Sequence, residues 1–124
     1  MSPRSDEYME LAARRLAAAR HSFDGGFYDV AATTAYYVMF HAAQAALSEA
    51  DTQAKTHSGL WSRFSELYVK PGLVPADMGS VGTRAQERRQ QVEYALDPVT
   101  AEEAQELITA AERFVRIVEL SFAE

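Results

Sequence analysis

The sequence predicts an all-α fold, an antiparallel up-and-down four-helix bundle with an additional short helix. Apolar residues recur at three- and four-residue spacing through five segments, no segment alternates with the two-residue period of a strand, and the breaks between segments are short.

The first helix is expected over about residues 5–23, with Met9, Ala12, Ala13, Leu16, Ala19 and Phe23 on one face. Asp24-Gly25-Gly26 ends it, because glycine enters the left-handed C-terminal position without steric cost. The second helix is expected from Tyr28 to Ala50. Ala32, Tyr36, Met39, Phe40, Ala43 and Leu47 lie along one side and Ala31, Ala35, Val38, Ala42 and Ala45 along another, so this helix is packed over most of its circumference. One polar line remains, through Tyr37, His41, Gln44 and Ser48, whose spacing aims their hydrogen-bonding groups in one direction.

Thr56 or Ser58 caps a third helix carrying Leu60, Trp61, Phe64, Leu67 and Tyr68, which Lys70-Pro71-Gly72 closes. A fourth helix is expected from about Pro75 or Gly82 to Ala95. Pro75, Gly79 and Gly82 lower its propensity, while Met78, Val81, Ala85 and Val92 keep a loose helical spacing. Asp97-Pro98 is a further break. Thr100 and Glu103 then form a capping box for a last helix over residues 101–122, with Ala104, Leu107, Ile108, Ala111, Phe114, Val115, Val118 and Phe122 as its core face and Glu112 pairing with Arg116 outside. With no linker and no internal repeat, residues 1–124 are expected to form one domain, enough chain to bury about two-thirds of its unfolded surface.

Composition excludes several classes of function. The chain has no cysteine, which removes disulfides and thiolate metal sites and fits a reducing compartment. No apolar run approaches the roughly 20 residues that span a bilayer, and the first ten residues lack a signal-peptide core, so a cytoplasmic protein without a membrane partner is expected. A net charge of -6, from 12 basic and 18 acidic residues, opposes broad attraction to nucleic acid, and DNA is not expected as a partner. Among the basic residues only Lys55 and Lys70 are lysines; Arg14, Arg15 and Arg20 gather near one end and Arg84, Arg88 and Arg89 in the fourth helix, where their guanidinium forks suit phosphate or carboxylate. His21, His41 and His57 sit on separate segments without metal-ligand spacing, so no metal is expected. Gly25-Gly26 and Gly79-Ser80-Val81-Gly82 lack the strand and lysine of a phosphate loop, so no cofactor is expected either.

Read residue by residue, the polar positions have ordinary structural explanations. His41 on a mostly apolar helix fits a core histidine satisfied by a neighbour, and its stripe fits a buried hydrogen-bond network or a polar seam between two copies. His57 beside Ser58 fits a helix-terminus hydrogen bond, and Arg88 and Arg89 near Glu87 and Glu93 fit an ion-paired solvated face.

Four blocks in order, AYYVMFHAAQAAL, KTHSG, an aromatic helix ending FSELYVKPGL and an arginine-rich helix ending RRQQVEY, together resemble the HEPN domain family (higher eukaryotes and prokaryotes nucleotide-binding), in particular its small stand-alone prokaryotic members. The resemblance runs from about Met9 to Phe122. It implies an all-α bundle, commonly a homodimer, in a family whose members include metal-independent ribonucleases and toxins acting with a small nucleotidyltransferase antitoxin. The active family signature is an Arg followed after four to six residues by a His; here Arg89 fills the first position and Tyr94 stands in the second. A histidine titrating near pH 6.5 exchanges protons at neutral pH, whereas a tyrosine near 10 stays a hydrogen-bond donor, so RNA or nucleotide binding with weak or degenerate cleavage is the expectation. The resemblance makes Arg89 and Tyr94 the candidate catalytic pair and Tyr37, His41, His57 and Arg88 the candidate binding residues. It also makes Tyr94 a candidate acceptor of a nucleotidyl group from the partner. The competing expectation is a non-catalytic helical homodimer that serves as an interaction module; a third, a four-helix carrier using the Trp61, Phe64 and Tyr68 face, asks an aromatic stripe to be more than core.

Overall fold

The structure is a computed structural model that describes residues 1–122; residues 123 and 124 of the expected domain lie outside the described residues. The described chain is helical, with no strand. Helix α1 spans Pro3–Asp24, α2 Tyr28–Glu49, α3 His57–Phe64, α4 Met78–Tyr94 and α5 Ala101–Ser121.

Local chemistry sets most of these boundaries. Ser2 caps α1 by accepting from the Ser5 N–H at 3.2 Å, with Pro3 just inside the start where its missing N–H costs nothing. Gly26, at φ +82°, turns the chain into α2, a conformation L side chains rarely adopt. Thr56 caps α3 by accepting from Gly59 N at 2.9 Å, and Thr100 caps α5 by accepting from Glu103 N at 3.1 Å.

Helix α2 is the axis, packed by each of the other four helices. Both of its expected apolar sides are buried, apart from a half-exposed Phe40. The aromatic face of α3 meets α5, with Trp61 edge-on to Phe114 at 5.8 Å and Phe64 at 5.4 Å from the same ring.

Five expectations are corrected. The fourth helix begins at Met78, between the two starts considered, because Pro75 to Asp77 form a turn in which Met78 N bonds Pro75 O at 3.1 Å. The third helix continues into five π-helical residues, Ser65–Val69, where Lys70 N reaches back five residues to Ser65 O at 2.8 Å. Glu112 pairs with Arg20 of α1 at 3.3 Å instead of with Arg116, since the packing of α1 beside α5 brings a guanidinium closer than the next turn does. The capping box at Thr100 is half-formed, because the Glu103 carboxylate that would close it is held by Arg88. On α1, Ala13 is exposed, which narrows the buried face to Ala12 and Ala19 with Met9, Leu16 and Phe23 half-buried.

Candidate functional site

Tyr36 is the hub around which the polar residues assemble. It faces the core from α2, and its hydroxyl accepts from Trp61 Nε1–H at 3.3 Å. An indole nitrogen only donates, and in the His57 tautomer that carries its hydrogen on Nε2 the phenolic proton is donated to His57 Nδ1, 2.6 Å away. Burial pushes the Tyr36 hydroxyl up to about 12, with Tyr37 adding to the rise against the Trp61 bond and the Arg89 charge, so this proton stays in place at any physiological pH. The His57 ring lies stacked on Phe40 at 4.3 Å. Burial and the Arg89 charge lower its pKa against the pull of Glu93. A neutral ring that accepts at Nδ1 carries its hydrogen on Nε2, which makes His57 a donor outward.

Arg89 comes from α4 and is 93% withdrawn from solvent, at 7% relative exposure. Its guanidinium carbon stands 5.3 Å from the centre of the Tyr36 ring and 5.6 Å from that of Tyr37, a cation on two aromatic faces. One of its terminal nitrogens donates to Glu93 Oε2 at 2.9 Å and, over a longer 3.4 Å, to the Tyr37 hydroxyl. Burial works against the charge, and Tyr37, Glu93, the Tyr94 hydroxyl and Tyr36 outweigh it, so Arg89 titrates above its ordinary range. Its Nε–H is buried and, among the described residues, has no hydrogen-bond partner.

The structure brings Arg89, Tyr37 and His57 onto one aromatic platform, Tyr36 with Tyr37, and leaves the other expected residues around it. Tyr94 is 76% exposed, so its ring belongs to the surface beside the site. Arg88 faces away from the platform: its five N–H groups go to Glu103 (2.5 and 2.9 Å), Asp97 (3.1 Å), Gln91 (3.3 Å) and the Pro98 carbonyl (2.9 Å). That arrangement clamps the α4–α5 connection and leaves no donor for a ligand. His41 donates from Nδ1 to Gln44 Oε1 at 2.7 Å, which leaves a lone pair on Nε2. Burial lowers its pKa, with the Arg15 charge assisting and the Gln44 bond opposing.

The polar stripe of α2 lies along a groove beside α1. Tyr37 and His41 border one hollow, while Gln44 and Ser48 border a second with Tyr8 and Thr52. Two members of the site escaped sequence reasoning. Tyr36 reads as core by spacing, and only its position one residue before a stripe residue hints otherwise; Glu93, four residues after Arg89, was visible as a helical ion pair and sits on the guanidinium.

The lowered histidine pKa values predict how stability varies with pH. Both groups bind a proton less readily folded than unfolded, so the unfolded chain holds more protons below the ordinary value of 6.5 and stability falls as pH drops through it. Stability is expected to be flat from pH 8 to 7 and to decline between about 6.5 and 5, by at most about 1.4 kcal/mol per pH unit per histidine. Urea titrations across this range check it, and the decline should shrink in His41→Gln/His57→Gln; an unchanged slope in that variant would assign the effect elsewhere.

Among the described residues no helix is long and apolar enough to cross a membrane, and no three potential metal-ligating side chains converge. Comparison with known proteins matches the HEPN domain over residues 5–121. The protein named "Putative toxin MJ0605" of Methanocaldococcus jannaschii is 32% identical over 116 residues, covering 94% of this chain and 87% of that protein. A UPF0332 protein of Gloeobacter violaceus is 31% identical over 119 residues, covering 94% of each, and a UPF0332 protein of Archaeoglobus fulgidus is 33% identical over 99 residues, covering 79% of this chain and 78% of that one. With four sequence blocks, a five-helix bundle and a family match over nearly its whole length in agreement, this chain belongs to the HEPN domain family.

Proposed function

We propose that this chain is an RNA-binding, toxin-like component of a two-component module, working as a cytoplasmic homodimer with a nucleotidyltransferase partner and cleaving RNA weakly if at all. One observation carries the RNA reading: Arg89 is nearly enclosed, held on the Tyr36 and Tyr37 rings, and keeps a buried Nε–H without a partner among the described residues. A buried donor left unsatisfied costs about 1–3 kcal/mol, a cost that a phosphate oxygen would remove once the guanidinium swings from Glu93 to meet it. Tyr94 beside it offers a phenol where the family signature has an imidazole, which supports phosphate binding over proton transfer. The name given to the Methanocaldococcus relative supports the module.

The test is fluorescence anisotropy with single-stranded RNA in the presence of a chelator. Binding that weakens strongly in Arg89→Lys, which keeps the charge but loses the fork, supports the reading. Equal binding by both proteins defeats it. Robust cleavage would defeat the weak-nuclease part alone.

Glu93 accepts from the guanidinium and so competes with a phosphate for it. Glu93→Gln is therefore expected to tighten RNA binding about three- to tenfold, read in the same anisotropy titration.

A second reading, the homodimeric interaction module, is favoured by one surface. Phe27, Val30, Tyr94 and Leu96 are all exposed, and the α1–α2 turn and the α4–α5 connection from which Phe27 and Leu96 come share one hollow. A stable dimer that binds no RNA would decide for it.

A further inference from the structure

The hollow beside Tyr37 and His41 has a volume of about 450 Å³ and is lined by Arg15, Ala18 and Ser22 of α1 and by Val30, Thr33, Thr34, Tyr37 and His41 of α2. Its size falls within the roughly 300–1,000 Å³ of small-molecule sites. Arg15 is the one charged side chain on its wall, and among the described residues it has no ion-pair partner. Among the described residues Arg20, Arg63, Arg88, Arg89 and Arg113 are ion-paired, and Arg15 is one of five arginines, with Arg4, Arg14, Arg84 and Arg116, that are not. The remaining wall combines a phenol ring, an imidazole, hydroxyls and short apolar groups.

Tyr37 joins this hollow to Arg89. Its hydroxyl accepts from the guanidinium, while its ring forms part of the wall. A strand with one phosphate on Arg89 thus has its adjoining nucleotide beside Tyr37. The hollow offers that nucleotide three matched features: an aromatic ring for the base, a neutral acceptor at His41 Nε2 for an exocyclic amino group, and the Arg15 fork for the next phosphate.

We propose that this hollow is the subsite for the nucleotide that adjoins the phosphate bound at Arg89, with its base against Tyr37 and its outer phosphate on Arg15. The proposal rests on the RNA reading above and extends it with a second, separate set of residues. It accounts for why the polar stripe of α2 faces a groove beside α1.

Two exposed positions test it without entering the core. Ala18→Trp fills the hollow, and Arg15→Glu reverses its charge. Anisotropy with an adenosine hexaribonucleotide is expected to show each variant binding about tenfold more weakly than the parent chain, with circular dichroism unchanged. A hexamer lacking its bases is expected to bind the parent weakly and Ala18→Trp no more weakly still. Dependence of the hexamer on Arg89 with no effect of either variant overturns the subsite and leaves the Arg89 reading standing. Loss of the Arg89 dependence itself overturns both. Equal sensitivity of the baseless strand to Ala18→Trp overturns the assignment of a base to the hollow.

Discussion

Replacing Gly82 with alanine is expected to lower the stability of the protein by about 2–4 kcal/mol. Helix propensity alone favours alanine by up to about 1 kcal/mol, so the expected sign is the reverse of what an interior helical glycine ordinarily gives. The reason is Trp61: a methyl group at position 82 of α4 would overlap three carbons of its ring. Trp61 is 1% exposed, set against Phe64 and Phe114, and its indole N–H is tied to Tyr36, so the ring has nowhere to go. Gly79, one turn earlier, is the matched control. A methyl group there would meet the hydroxyl of Ser65, a short side chain free to rotate, so Gly79→Ala is expected to change stability by less than about 1 kcal/mol. Urea unfolding of the two variants measures both. Equal effects would mean that the Trp61 ring yields, and with it the account of why α4 carries glycine.

The second large effect is at Arg89. Arg89→Ala is expected to weaken RNA binding by about a hundredfold and to cost about 2–4 kcal/mol of stability, since it empties a volume enclosed by Tyr36 and Tyr37 and strips Glu93 of its partner. The two consequences separate by comparison with Arg89→Lys. A lysine keeps a cation over the rings and restores part of the stability, but it cannot offer the parallel donors that a phosphate takes from a guanidinium. Recovered stability with lost binding is the expected pattern. Recovery of both would mean that charge alone suffices.

Most of the fold was legible because its signals are local. Thr56 and Thr100 announce helix starts through a side-chain oxygen three residues from the N–H it accepts, and Gly26 announces a stop through its own backbone. What was not legible depends on residues far apart in sequence. Nothing near Gly82 states that a tryptophan twenty-one positions earlier lies across it, so glycines that serve close packing read as a weak helix. Glu112 has a partner at the right helical spacing in Arg116, and only the neighbouring α1 shows that Arg20 is nearer. Arg88 and Arg89 are adjacent and chemically identical, yet one clamps a loop and the other enters the aromatic platform. A one-residue step rotates a helical side chain by about 100°, and sequence alone does not say which of the two faces inward. The same holds for Tyr36 and Tyr37: the pair was visible, but the hub was the member that spacing assigned to the core.

Helix α2 bears Tyr36, Tyr37 and His41, and seven of its eleven buried residues are alanine. Alanine has no rotamers to lose, so ordering the central helix spends little side-chain entropy, whereas a helix of leucine or methionine in its place would give up about 0.5–2 kcal/mol at each buried position. Along α2, the side-chain freedom lost on folding therefore falls on its few larger residues, the aromatic and polar side chains of the site together with Val38, Met39 and Leu47. With so little slack along the axis itself, fluctuations in the position of the Arg89 platform should arise in the helices that lean on α2, and amide exchange slowest along α2 would be the experimental mark of that division.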